Sequence, residues 1–301
     1  MMTPVQGAEL LTHEPVTARE LRRDMVQVFG DSRYKAPVLP AAAHELMELS
    51  KRPNVSFEDV QRVVEKDTTI AGKVLQVAQS PIYATRVRAK TLRDAVQRLG
   101  LNNIRDIVWQ VAMDVRVFRA EGYEGVLERL QSHCVATGYL ARLVCRFTSV
   151  ASEYAFLCGL LHDVGLSGLL ISVVEKRGKD SAEGLPPLSV LWPALTEAHA
   201  EASGYLARLW KLDKELELVV AKHHQGEGSD LPHPLVAVLA VAEHLATEAG
   251  HAVLADDEGL DAFEVVSEER LEGSLKMLGV NDATLRALQK EASQTLDQMK
   301  V

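Results

Sequence analysis

The uncharged run Ala155-Phe156-Leu157-Cys158-Gly159-Leu160-Leu161 ends at His162 and Asp163. A run of that kind predicts a helix buried on every side. An imidazole and a carboxylate at its end lose hydration, and that cost must be offset by hydrogen bonds, mutual pairing or a metal ion. Four further histidines, His133, His199, His223 and His224, fall on or at the ends of predicted helices. Helical bundles build metal sites in this way, from side chains converging from facing helices. Imidazole suits Fe, Mn, Zn or Ni; an added carboxylate favours harder ions such as Mg and can bridge two ions. Neighbouring residues on a helix diverge by roughly 100°. His162 and Asp163 therefore share one centre only at a frayed or kinked end, which Gly165 would allow. The same residues also have simpler uses. A lone histidine can be a hydrogen-bonded core residue, His223-His224 can interact with a helix dipole, and Asp163 can be a buried acceptor that holds a loop.

The elements that must position these residues read as helices throughout. Ser56 with Glu58 and Asp59 starts one helix, and Asp67 caps the next, which Pro81 stops. Thr91 with Asp94 resembles a capping box, Gly100 is a natural stop, and Ile104 to Val117 continues with helical spacing. Further helices are predicted over 124–147, from near Ser152 through the His162-Asp163 pair, and over 188–199, 201–210, 213–224 and 234–248. Two more cover 267–278 and 281–299, the latter capped by Asn281. The fold class is all-α, a multi-helix bundle with an N-terminal helical subdomain. We divide it into an N-terminal extension (1–35), an N-terminal helical subdomain (36–121), a histidine-bearing helical subdomain (122–250) and a C-terminal helical appendage (251–301). The extension is expected to pack on the N-terminal subdomain.

A formal net charge of -9 argues against broad affinity for nucleic acid or anionic lipid. The local exception is Arg86-Val87-Arg88-Ala89-Lys90 with Arg93, Arg98 and Arg105, a candidate basic face. Cys134, Cys145 and Cys158 form no CxxC pair and read as buried free thiols of a reducing compartment. No secretory signal is apparent, and no uninterrupted apolar stretch approaches the ~20 residues that span a bilayer. A cytoplasmic location is expected.

Taken in order, His133, His162-Asp163, His199 and His223-His224 resemble the histidine/aspartate (HD) phosphohydrolase superfamily, and more closely its HDOD domain, an HD-related output domain of bacterial signalling proteins. The likeness extends to Val38-Leu39-Pro40, to the segment from Val63-Val64-Glu65-Lys66-Asp67 to Gln79-Ser80 with Ile82-Tyr83, and to Thr91 through Gly100. It continues in Gly159-Leu160-Leu161-His162-Asp163-Val164-Gly165 and in His199-Ala200-Glu201-Ala202-Ser203-Gly204. By this resemblance, His133, His162, Asp163 and a late carboxylate, here Glu243 in place of Asp, would hold a divalent metal (Fe, Mn, Mg, Zn or Ni). His199, His223 and His224 would add ligands for a second ion.

Two departures bear on activity. Related cyclic-dinucleotide phosphodiesterases place Lys where this chain has Leu166, and carry Gly-Tyr-Pro beyond the paired histidines where this chain reads Gln225-Gly226-Glu227-Gly228-Ser229-Asp230. A phosphate site that lacks a cation and gains acids is a poor anion site. The resemblance thus implies a noncatalytic signalling module that binds a partner protein or a small, nucleotide-type ligand, with no catalytic residue assigned. The alternatives are a metal-dependent phosphohydrolase acting on a nucleotide or cyclic dinucleotide, and a nucleic-acid-binding regulator using the Arg86–Arg105 face.

Overall fold

Side-chain caps start the first helices, at Ser56, Asp67 and Thr91 as the sequence predicts and also at Thr17. Thr17 and Glu20 close a capping box at α1 (Ala18–Gly30), and Ser56 and Asp59 close another at α3 (Phe57–Glu65), which follows α2 (Ala41–Ser50). Asp67 accepts from Thr69 and Ile70 at the start of α4 (Thr68–Ala78). Asp94 accepts from the Thr91 amide while the Thr91 hydroxyl accepts from the Asp94 amide, opening α5 (Leu92–Arg116). A computed structural model describes residues 16–31, 41–52, 54–80, 89–116, 120–151, 153–177, 184–225, 233–254 and 266–299; among them all regular structure is helical. Val38-Leu39-Pro40, Ile82-Tyr83, Arg86 to Arg88 and Gly226 to Asp230 lie outside the described residues.

The remaining elements are α6 (Glu124–Arg146), α7 (Ala155–Leu161), α8 (Val164–Arg177), α9 (Leu188–Leu209), α10 (Lys214–Ala221), α11 (Pro234–Glu248), α12 (Glu268–Met277) and α13 (Asp282–Met299). Asn281 accepts from the Thr284 amide at 3.0 Å and so caps α13 as expected. Some sequence expectations need correction. The segments 188–199 and 201–210 form one helix, α9, which runs unbroken past His199 and contains Pro193. The predicted break around residue 200 has no turn chemistry to enforce it, since Ala200-Glu201-Ala202 all favour helix. Conversely, α5 keeps a break at Gly100, whose φ of 74° is left-handed, so the helices on either side abut with no linker.

One apolar core runs from α1 to α13, and α6, α7, α8, α9 and α11 lie around the histidines. Helix α11 is buried from Leu235 to Val241 on every face, and its neighbours are α6, α7 and α12. Helices α6 and α7 touch backbone to backbone: a Cβ on Gly159 would lie 2.5 Å from the Gly138 Cα. The stretch Ala155–Lys176 has the length and mean hydropathy of a bilayer-crossing segment, but His162-Asp163 interrupt it and 94% of its apolar window is buried inside this protein. Its apolarity is that of a core element, with His162-Asp163 at the turn between α7 and α8.

Helix α1, the described helix of the extension, has its main packing against α8 and α9, which corrects its expected placement on the N-terminal subdomain. Leu21, Met25 and Phe29 are buried along its inner stripe, and the Phe29 and Met25 side chains approach Gly168 of α8. Helices α2 to α5 pack on one another, and α5 meets α6 and α7. Arg105 makes the joint. It is buried, donates to Asp106 at 3.1 Å and to the Glu153 carbonyl at 2.5 Å, and its guanidinium lies 5.6 Å from the Tyr154 ring centroid. Asp106 also receives Arg142 of α6 at 3.2 Å. Arg105 is therefore no part of a basic face, because its stem and charge are used inside the molecule. Of the other residues proposed for that face, Arg93 lies 3.6 Å from Glu58 and Arg98 donates to the Ala78 carbonyl.

Candidate metal centre

Five helices and one turn deliver the seven predicted residues to one place. His133 comes from the middle of α6, and His162 follows the last residue of α7. Asp163 occupies the turn between α7 and α8, His199 lies in α9, His223 and His224 follow the end of α10, and Glu243 lies in α11. The turn at His162-Asp163 lets adjacent side chains face one centre. Gly165 contributes differently from the expected frayed end. It is helical, and a Cβ there would lie 2.1 Å from the His199 carbonyl and 2.5 Å from the Ser203 amide. Its amide donates to the Ser203 hydroxyl at 2.8 Å, so glycine is needed for α8 to press against α9.

Four rings are oriented by carbonyl oxygens. His162 Nδ1 lies 2.7 Å from the Gly159 oxygen, His199 Nδ1 2.6 Å from Thr196, and His223 Nδ1 2.8 Å from Val220, each three residues back in the chain. His133 Nδ1 lies 2.8 Å from the His251 oxygen, and the His251 ring is in turn 2.8 Å from the Ser132 hydroxyl. A carbonyl only accepts, so each Nδ1 carries a proton and each neutral ring turns the Nε2 lone pair inward. Those Nε2 atoms crowd together: His133 and His162 are 3.3 Å apart, as are His199 and His223. Inward lone pairs at such separations repel unless a cation or a proton lies among them. Outward hydrogen bonds from Nδ1 are also how metal-ligating imidazoles are fixed.

Asp163 faces both halves of the cluster. Oδ2 is 3.2 Å from His162 Nε2 and 3.9 Å from His133 Nε2, while Oδ1 is 3.2 Å from His223 Nε2 and 3.5 Å from His199 Nε2. Oδ1 is fully buried yet receives no well-directed hydrogen bond. A buried carboxylate oxygen in that state is costly without a cation. Two overlapping donor groups result, His133-His162-Asp163 and Asp163-His199-His223-His224. Glu243 Oε1 is 3.7 Å from His162 Nε2, so the longer side chain still brings a carboxylate to the first group. This donor set, neutral imidazoles around shared carboxylates, fits a divalent ion.

Electrostatics follow from burial and charge. Burial opposes a charge on His162, but Asp163 beside it, with Glu243 and the Gly159 carbonyl, outweighs burial and raises the ring to about 9. Burial also opposes the charge on Asp163, yet His162, His223 and His199 hold it well below the usual carboxylate range. His133 is lowered to about 4 by burial and by His162, and His223 is lowered by burial and by His224. His224 is lowered to about 2 by burial, by His199 and, more weakly, by Arg270. Without metal, one proton thus sits between His162 and Asp163, and His133, His223 and His224 are neutral.

Sequence reasoning missed Arg270. This residue of α12 donates to the His223 carbonyl, lies 2.9 Å from His224 Nδ1 and 3.9 Å from Glu243 Oε2, and its side chain is 13% exposed. No spacing in the sequence ties it to the histidines; the Ser267 cap fixes where α12 begins, and the packing of α12 on α11 does the rest.

The HDOD domain model matches residues 36–226, which include six of the seven residues of the cluster. The chain belongs to the HDOD domain family. Solved structures share the HDOD fold at low identity. A candidate metal-dependent phosphohydrolase of Shewanella amazonensis SB2B is 18% identical with a TM-score of 0.65, covering 93% of this chain and 99% of its own. An HDOD domain protein of unknown function from Geobacter sulfurreducens is 21% identical with a TM-score of 0.66, covering 94% and 98%. A candidate signal transduction protein of Marinobacter aquaeolei VT8 is 22% identical with a TM-score of 0.62, covering 94% of this chain and 64% of its own. No curated protein matches the chain.

Proposed function

We propose that this chain is a regulatory HDOD module of bacterial, cytoplasmic signalling that acts by binding a partner protein or a small nucleotide-type ligand, and that its histidine-aspartate centre holds a divalent metal as a structural tie. The observation that carries the reading is the closure of the centre. His162, Asp163, His199 and His223 are each 1% exposed or less, and Arg270 is bonded to the last histidines. Leu166, where related phosphodiesterases place a lysine, is buried in the core and supplies no charge. The Arg270 donors that face the centre are spent on His223 and His224, so they are not free for phosphate.

The residues that would hold the metal are His133, His162, Asp163 and Glu243, with His199, His223 and His224 around them. A divalent ion there would supply Lewis-acid polarisation and acidify bound water. What this chain's own residues do is hold that position dry and rigid, through the four Nδ1 hydrogen bonds and the two-faced Asp163. Support for a second reading, a metal-dependent phosphohydrolase, is that two donor groups share Asp163, with Glu243 Oε1 3.7 Å from His162 Nε2.

The two readings part in one experiment. Protein purified without chelator is analysed for metal and assayed against a generic phosphodiester and a panel of cyclic dinucleotides, beside Asp163→Ala. Bound metal that is lost in the variant, with no turnover by either protein, is expected. Metal-dependent turnover abolished in Asp163→Ala would establish the hydrolase instead.

A further inference from the structure

Arg270 forms part of the wall of the centre, although α12 lies outside the residues matched by the family. A guanidinium has donors only. His224 Nδ1, 2.9 Å from Arg270 Nη1, must therefore be an acceptor, and the proton of the neutral His224 ring lies on Nε2. That is opposite to the four rings pinned by carbonyls. His224 Nε2 is 2.8 Å from His199 Nε2, which carries the lone pair because its own Nδ1 proton is given to Thr196. A directed chain runs from Arg270 to His224 to His199. It takes two lone pairs away from the group Asp163-His199-His223-His224 and none from His133-His162-Asp163, and Arg270 nears Glu243 at Oε2, 3.9 Å away, not at the Oε1 that faces His162.

Charge points the same way. With neutral imidazoles, Asp163 and Glu243 bring two negative charges to the buried centre and Arg270 returns one positive. One divalent ion turns the remaining negative charge into one positive. A second would leave three positive charges in a dry site, and unpaired charge there is costly.

We propose that Arg270 occupies the role of a second cation, so that the centre takes one metal ion where its ligand count would otherwise accommodate two. Arg270 is a specificity-determining residue for metal stoichiometry, supplied by the C-terminal helix. The inference rests on the reading that the centre binds metal at all.

The test is metal counting on the full chain, stripped with chelator and reconstituted with Mn²⁺, by elemental analysis and by electron paramagnetic resonance, which separates isolated from exchange-coupled Mn²⁺ pairs. The wild type is expected to hold one equivalent with an uncoupled spectrum. Arg270→Met and Arg270→Gln are expected to take up a second equivalent and show coupling. The glutamine variant keeps a donor for the His223 carbonyl, so it separates loss of charge from loss of α12 docking. Arg270→Lys, which keeps the charge, is expected to stay at one. Two equivalents in the wild type or in Arg270→Lys, or one in Arg270→Gln, overturns the proposal. No metal in any of the four proteins overturns the metal reading and the proposal with it.

Discussion

At the scale of single residues, the proton between His162 and Asp163 governs the centre. Metal must displace it, because His162 is raised to about 9 while His133, His223 and His224 are already neutral. Apparent metal affinity should therefore rise about tenfold per pH unit up to about pH 9, with one proton released per ion. Titration calorimetry in buffers of different ionisation enthalpy measures that proton count directly. The metal-free protein has its own pH signature. His133 and His224 are held neutral down to about 4 and about 2, so below pH 6.5 the unfolded chain takes up protons that the folded chain refuses. Stability should fall from pH 6.5 toward 4 by about 1.4 kcal/mol per unit for each such histidine. His162 has the opposite sign: its contribution is complete below pH 6.5 and is lost as pH rises through about 9. These groups together place the stability maximum near pH 6.5, which urea midpoints taken in chelator will show or refute. Asp163→Asn keeps the shape and removes the charge that faces both halves of the centre. It should weaken metal binding by at least the ~100-fold that loss of an outer partner can cost, read as a lower melting temperature that added metal no longer raises.

At the scale of elements, the helix starts could be read from the chain because their contacts are local, and the centre's residues stand out by type and order although five helices bring them together. The caps at Ser56, Asp67, Thr91 and Asn281 are side-chain to backbone contacts within a few residues, and each lies where the sequence puts it. What could not be read depends on packing between helices. Nothing local says that Arg105 turns inward or that Arg270 reaches the histidines, whereas the continuation of α9 past His199 is legible in the helix-favouring Ala200-Glu201-Ala202. Gly165 illustrates the difference: its residue type stands out in the sequence, but its reason is the approach of α8 to α9 and not a frayed end. Gly165→Ala should force those helices apart and cost about 1–3 kcal/mol as an overpacking change. It should also weaken metal binding, since the His199 carbonyl is the first atom displaced. Denaturant melts and metal titration on the same variant check both.

At the scale of the molecule, Asp106 joins the N-terminal helices to the histidine-bearing ones, receiving Arg105 of α5 and Arg142 of α6. Burial pushes its carboxyl up against the pull of both arginines, so the pair stands only while all partners are present. Asp106→Ala would leave Arg105 buried without its counter-charge and should cost about 3–5 kcal/mol. If the joint couples the two parts, that loss will appear with a second transition in the urea melt, where the wild type shows one.

The site also runs past the stretch that defines the family. The HDOD match stops at residue 226, whereas Glu243 and Arg270 lie beyond it. A chain cut at that boundary would keep the recognisable motif but lose one of the two carboxylates near the centre. It would also lose α11, whose side chains from Leu235 to Val241 are wholly buried. Two relatives identical from residue 36 to 226 could therefore differ in how many ions they carry, and the tail of each sequence would have to be inspected before either is assigned a chemistry.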